Sequence, residues 1–311
     1  MKKIILVILL SVIFVLTSCA DSDTEGYTFT DALQREITVD SCDRVAAMLG
    51  SFADVWMLAG GEVVATADDA WDDFDLPLGD NVANLGVSTK PNLELLIASD
   101  PDFVIASSKN SANLEMLDTL TALGITVAYF DVSTPEDYLS MMKICTDLTG
   151  REDLYLKNGI EVAAKVEEIR TLARADFATR TDAPSALFLR ASAASIRAKG
   201  SDGNVLGEML RDLGVINIAD GENNAILENL SLEGVIAENP DFIFIVQVGD
   251  NAEAVESAVE ELFSSNPAWS TLDAVKNDKV YFLDKKLYNL KPNARFAEAY
   301  EGLYEIISSE P

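Results

Sequence analysis

The chain nearly says one thing twice. Asn92–Ser107 reads NLELLIASDPDFVIAS and Ser231–Val246 reads SLEGVIAENPDFIFIV. A shift of 139 residues lays Leu93 on Leu232, Glu94 on Glu233, Ile97 on Ile236 and Pro101–Asp102–Phe103 on Pro240–Asp241–Phe242. Each copy reads as a short helix with a glutamate in its first turn, a turn at Pro-Asp, and a continuous apolar strand. Strands of that kind belong to parallel sheets covered on both faces. Two copies so far apart leave room for one α/β lobe around each.

The flanking sequence repeats the pattern. RVAAML, VVATA, FVIAS and TVAYFD read as strands in the first half, and ALFLRAS, VINIA, FIFIV and KVYFLD in the second. Amphipathic segments such as SFADVWMLAGG, NLEMLDTLTALG, NVLGEMLRDLG and NAEAVESAVEELFSS separate them as helices. YTFTDALQREITVD alternates as a small hairpin. Between the halves, residues 152–180 hold no proline, and Val162, Val166, Ile169 and Ala173 fall at helical spacing. A helix of about 25 residues spans roughly 38 Å, which suits a strut between lobes. The expected fold class is therefore α/β: two pseudo-symmetric Rossmann-like lobes with parallel sheets, joined by one long helix. Ligand is expected in the cleft between them, beyond the carboxyl ends of the strands.

The chain start reads as an export signal. Lys2 and Lys3 precede the apolar Ile4–Leu16, too short to span a bilayer, and LTSC ends at Cys19. The net charge of −29, or −31 without Lys2 and Lys3, argues against nucleic-acid partners. Cys42 and Cys145 remain; they read equally as a pair or as two buried thiols. The absence of histidine removes imidazole metal ligation and Ser-His-Asp or Cys-His catalysis. No Walker loop appears, so any ATPase would be a separate subunit. No catalytic residue, metal site or cofactor is assigned.

With these pieces in order, the chain resembles the helical-backbone (class III) substrate-binding lipoproteins of bacterial ABC importers for ferric siderophores, cobalamin or haem. LTSC resembles a lipobox; PNLELLIASDPDFVIA, GSDGNVLGEMLRDLGVINIA, NPAWSTLDAVKNDKVYFLD and LYNLKPNARFAEAYEGLYEII resemble successive segments of the family. One departure is that Asn293–Ala294 precede Arg295 where family members often carry Gly-Pro. The resemblance implies lipidation at Cys19, an extracytoplasmic monomer held to a membrane only by lipid, and a permease dimer with its ATPase as partners. It implies permease docking through Glu94 and Glu233. The residues alone allow a plainer reading, in which these glutamates complement the helix dipoles behind the N-caps Asn92 and Ser231.

The organisation expected is a signal peptide over 1–18, a tether over 19–26, an N-terminal lobe over 27–149, a connecting helix over 150–178 and a C-terminal lobe over 179–311. Ligand contacts are expected from strand-end loops: Phe52, Trp71, Lys90 and Ser108 in the first lobe, and Arg190, Arg197, Lys199, Gln247, Tyr288 and Arg295 in the second. Arg190, Arg197 and Lys199 read as one basic loop, and Lys285, Lys286, Lys291 and Arg295 as another, which suits a bulky anionic metal chelate such as a ferric siderophore. Corrinoid is the alternative, and haem through a tyrosinate at Tyr288 or Tyr129 a further one. The rival of another class is a cell-surface hydrolase using Glu94 and Glu233 as paired carboxylates. Its carboxyl groups would need to lie roughly 5–9.5 Å apart, which two separate lobes do not favour.

Overall fold

The computed structural model describes residues 26–221, 226, 230–249 and 251–309. Cys19 and the export segment lie outside them. β1 (Tyr27–Thr30) and β2 (Glu36–Val39) form the antiparallel hairpin. Buried Asp31 ties it to the first lobe, accepting from Leu33 N and Arg35 N in its own turn and from Tyr129 N across the junction.

β3 (Val45–Ala47), β4 (Val63–Thr66), β5 (Ala83–Asn84), β6 (Phe103–Ser107) and β7 (Thr126–Phe130) make a parallel sheet in the order β5-β4-β3-β6-β7. In the second lobe β8 (Ser185–Ser192), β9 (Ser195–Ala198), β10 (Ile216–Asn217), β11 (Phe242–Gln247) and β12 (Val280–Leu283) make another. Its parallel strands run β10-β8-β11-β12, and β9 lies antiparallel on the far half of β8. The repeated strand is β6 in one sheet and β11 in the other, and each sits between an earlier and a later strand. Both are buried almost throughout, which is why their sequences run apolar without alternation.

The repeat is structural in detail. Asn92 and Ser231 cap helices Leu93–Ala98 and Leu232–Glu238, accepting from Leu95 N and Gly234 N. Asp100 and Asn239, one shift apart, both take the left-handed conformation that stops the helix before proline. The aspartate after each proline then pins the start of the neighbouring strand. Asp102 accepts from Asp43 N and Arg44 N ahead of β3, and Asp241 from Ser185 N at the head of β8.

The connector is helical without a break from Glu152 to Phe177, but it is not the uniform α-helix expected. Leu156–Ile160 widens into a π turn between Glu152–Tyr155 and Glu161–Phe177. There Asn158 O accepts from Tyr138 Oη at 2.6 Å and Asn158 Nδ2 donates to Leu58 O at 2.8 Å, so the turn is anchored on the first lobe. Its buried row Val162, Val166 and Ala173 packs with the C-terminal helix Phe296–Ser308. Arg170, on the same row, reaches both lobes. It donates to Glu136 at 2.6 Å, to Asp212 and to Tyr300 Oη at 3.3 Å, and Tyr300 Oη donates to Asp212 at 2.6 Å. NLEMLDTLTALG, expected as one helix, is two: Ser111–Glu115 and Leu117–Ala122. Among the described residues no helix is long and apolar enough to cross a membrane.

Candidate functional site

Even-numbered residues of β8, Ala186 and Phe188, face the core shared with helices Val205–Asp212 and Phe296–Ser308. Arg190 continues that row past the end of the core. Its Nε is buried without a hydrogen-bond partner, and among the described residues no carboxylate pairs with it. Burial pulls its pKa below the ordinary arginine value, yet a guanidinium stays charged. It lines a cavity of about 650 Å3 with Lys199, Asn204, Arg211, Asp202 and Asp220. Most of that wall is already engaged. Arg211 pairs with Asp202 and Glu208, Asp220 accepts from Ser201 N at 2.7 Å, and Asn204 caps the helix by accepting from Gly207 N. The loop presses so close on this helix that a Cβ at Gly207 would lie 2.7 Å from Gly200 O and from Ser201, so only glycine fits. What is left open is a pair of cations, Arg190 and Lys199, with which no carboxylate of the described residues forms an ion pair.

Sequence reading put Arg190, Arg197 and Lys199 in one loop. The structure places them on a hairpin: Arg190 on β8 pairs across the ladder with Arg197 on β9, and Lys199 N donates to Phe188 O just beyond. Arg197 is exposed and does not line the cavity, so only two of the three meet there.

The second basic group is spent on the opposite lobe. Lys285 pairs with Asp73 at 2.6 Å and Lys286 with Asp75 at 2.8 Å, 211 residues away in sequence. Buried Asn293, at φ 54°, donates to Ser51 O and to Asp54 Oδ2, both at 2.8 Å. Lys291 extends over the Phe52 ring, 5.8 Å from its centroid, where Asp131 and Asp69 raise its pKa against the larger lowering by burial. Arg295 pairs with Glu298 in its own helix at 2.7 Å. These residues leave a cavity between the lobes of about 280 Å3, lined by Asp54, Asp73, Asp75, Lys286, Lys291 and Arg295. The segment clasps the lobes together rather than presenting a row of free cations.

Two aromatic assignments need correction. Phe52 is fully buried, packed edge-on against Phe130, and Tyr288 is buried with its hydroxyl donated to Ala299 O. Tyr129 is likewise enclosed and donates to Asn113 O. Neither tyrosine offers an oxygen to haem iron, and burial pushes Tyr288 up to about 12, away from tyrosinate. Trp71 is half-buried on the short helix Asp69–Asp72 and Lys90 is exposed; Ser108 Oγ donates to Phe130 O at 3.3 Å, and Gln247 Nε2 to Gly249 O at 2.6 Å. Asp69, which sequence reading passed over, is half-buried and accepts from Gly50 N at 2.9 Å; the burial it has lifts its pKa to about 6. The crowded run DDAWDDFD was the available signal for an acidic lip here.

Glu94 and Glu233 are exposed, one in each lobe, in the first turns of the repeated helices. Cys42 and Cys145 are free thiols, Cys145 buried and Cys42 partly so. Among the described residues no cluster of three or more acidic or thiol side chains is placed to hold a metal ion.

The fold is similar to that of SirA of Staphylococcus aureus, solved with staphyloferrin B, with a TM-score of 0.68 and 22% identity over 90% of this chain and 98% of that one. Two proteins of Bacillus subtilis (strain 168) are similar in sequence. The iron-uptake system-binding protein is 26% identical over 202 residues, which covers 65% of this chain and 61% of the relative's length. The Fe(3+)-citrate-binding protein is 25% identical over 245 residues, 78% of this chain and 73% of that one. Residues 45–287, most of the chain and nearly all of both sheets, match the family described as periplasmic binding protein; the chain belongs to the periplasmic binding protein family.

Proposed function

We propose that this protein is the extracytoplasmic solute-binding component of an ABC importer, and that it captures a ferric chelate of net negative charge and delivers it to a membrane permease. The observation that carries the charge of the ligand is Arg190: a partly buried guanidinium with which no carboxylate of the described residues pairs, lining a cavity together with Lys199. An unpaired cation kept out of water costs free energy unless something negative arrives. Two curated relatives named for iron uptake and Fe(3+)-citrate binding support the metal. In this reading Cys19 carries a lipid anchor, the two sheets form separate lobes, and Glu94 and Glu233 dock on two permease subunits, to whose arginines a carboxylate can bind in a directional, bidentate way.

The test is a thermal-shift panel on the mature protein with ferric citrate, ferric hydroxycarboxylate and catecholate siderophores, cobalamin and haem. A ferric anion should raise the melting temperature, and the rise should shrink as ionic strength increases. A shift with cobalamin alone, indifferent to salt, would replace the chelate with a corrinoid. Replacing Glu94 or Glu233 with Ala should impair uptake into cells and leave chelate affinity unchanged. An equal loss of affinity would move them into the ligand site.

A further inference from the structure

β12 is the last strand of its sheet, with β11 on one side and, among the described residues, no strand on the other. The parallel register pairs Ile243 with Val280 and Ile245 with Phe282, and Ile243 N donates to Lys279 O. In such a ladder every second residue turns its backbone to the neighbour. Lys279, Tyr281 and Leu283 therefore face β11, and the N–H and C=O groups of Val280 and Phe282 point outward. Exposed edges are ready templates for another strand.

The side chains beside this edge are apolar. Phe282 is 49% exposed, and with Val280, Val259 and Phe263 it lines a groove of about 470 Å3 between β12 and helix Ala252–Ser265. The groove's polar margin is of one sign. Glu256, Glu260 and Asp278 border it, and no lysine or arginine is among the residues that line it. A single free edge or a single exposed phenylalanine would be unremarkable. Outward backbone groups, an apolar trough and an acidic rim coincide here.

We infer that this edge is a docking surface for an extended segment of a partner protein, one that alternates apolar side chains with lysine or arginine. The incoming strand would extend the sheet through Val280 and Phe282. Its apolar side chains would lie in the trough against Phe282 and Phe263, and its cations would meet Glu256, Glu260 and Asp278. Backbone pairing supplies affinity in this mode of recognition and the side-chain trough supplies selectivity. A second copy of this chain fits poorly, because the same acidic rim would meet itself.

The experiment titrates the full mature protein with a nine-residue peptide of alternating Lys and Val, followed by calorimetry, against the same peptide with Glu in place of Lys. The Lys peptide should bind and the Glu peptide should not. Val280→Pro removes an outward N–H without touching the β11 ladder and is tolerated at an edge. It should weaken binding at least tenfold while the melting temperature holds, and Phe282→Ser should do the same. Glu256→Gln with Glu260→Gln should weaken it and flatten its salt dependence. Binding unchanged by Val280→Pro and Phe282→Ser would reduce the effect to diffuse attraction by an acidic protein and overturn the proposal, as would no binding at all. Concentration-dependent dimerisation abolished by Val280→Pro would overturn it in favour of a second copy.

Discussion

Arg170 and Arg190 are both guanidiniums drawn into the protein, and their surroundings assign them opposite roles. Arg170 donates hydrogen bonds to Glu136, Asp212 and Tyr300; among the described residues Arg190 has no such partner. Replacing each with Met separates the roles by calorimetry and chemical denaturation. Arg170→Met should cost about 2–4 kcal/mol, because it strands Asp212 and Glu136. Arg190→Met should leave stability equal or slightly higher and lower chelate affinity at least tenfold. Asp69 is the third informative residue. Its ordinary value of 3.8 is raised to about 6, chiefly by burial, with Asp68 and Asp73 adding to it and the Gly50 N–H opposing it. Between those values the folded carboxyl holds a proton that the unfolded one has released. Its contribution to stability therefore grows as pH falls from about 7 toward 4 and is lost as pH rises through about 6. Asp69→Asn keeps the acceptor for Gly50 N and removes the titration. The melting temperature of the wild type should lie below that of the variant at pH 8 and approach it at pH 5. A constant gap across that range would mean the carboxyl is neutral, or charged, throughout.

At the scale of elements, most strands and helices were legible. Parallel strands buried on both faces have to be continuously apolar, and Asn, Ser and Thr caps mark where helices begin. β9 was missed because ASAASIRAK carries small residues and cations where a strand usually shows branched apolar ones. The π turn was missed for a different reason: its stability comes from Tyr138 and Leu58, which local periodicity does not see. The site was less legible than the fold. Lys285 and Lys286 look like ligand cations until Asp73 and Asp75 arrive from the other lobe, and Phe52 and Tyr288 look like ligand contacts until the packing encloses them. The clasp can be tested as an element. Lys285→Ala with Lys286→Ala should loosen the contact between lobes, read as faster amide exchange in residues 69–76 and 284–293. Ligand affinity should change less than in Arg190→Met. Unchanged exchange would mean that Asn293 and the apolar contacts hold the lobes without the ion pairs.

Across the whole molecule, the lobes are fastened at the back by the Arg170 network and at the front by the clasp. Scattering with and without ligand should therefore show no resolvable change in the radius of gyration; a compaction as large as hinged two-lobe proteins undergo would contradict both fastenings. The duplicated helix–turn–strand unit has another consequence: the molecule carries its own replicate experiment. Asp102 and Asp241 perform the same pinning on β3 and β8 with comparable hydrogen bonds, 3.0 and 3.1 Å in one and 2.8 Å to both nitrogen and hydroxyl in the other. Replacing either with Ala should cost about 1–2 kcal/mol in denaturant unfolding, and the two values should agree more closely with each other than with that of an exposed aspartate outside the repeat such as Asp153. An effect that appears at both positions belongs to the unit itself. One that appears at a single position belongs to the lobe around it, and the same comparison of Glu94 with Glu233 sorts what duplication preserved from what each half has since acquired.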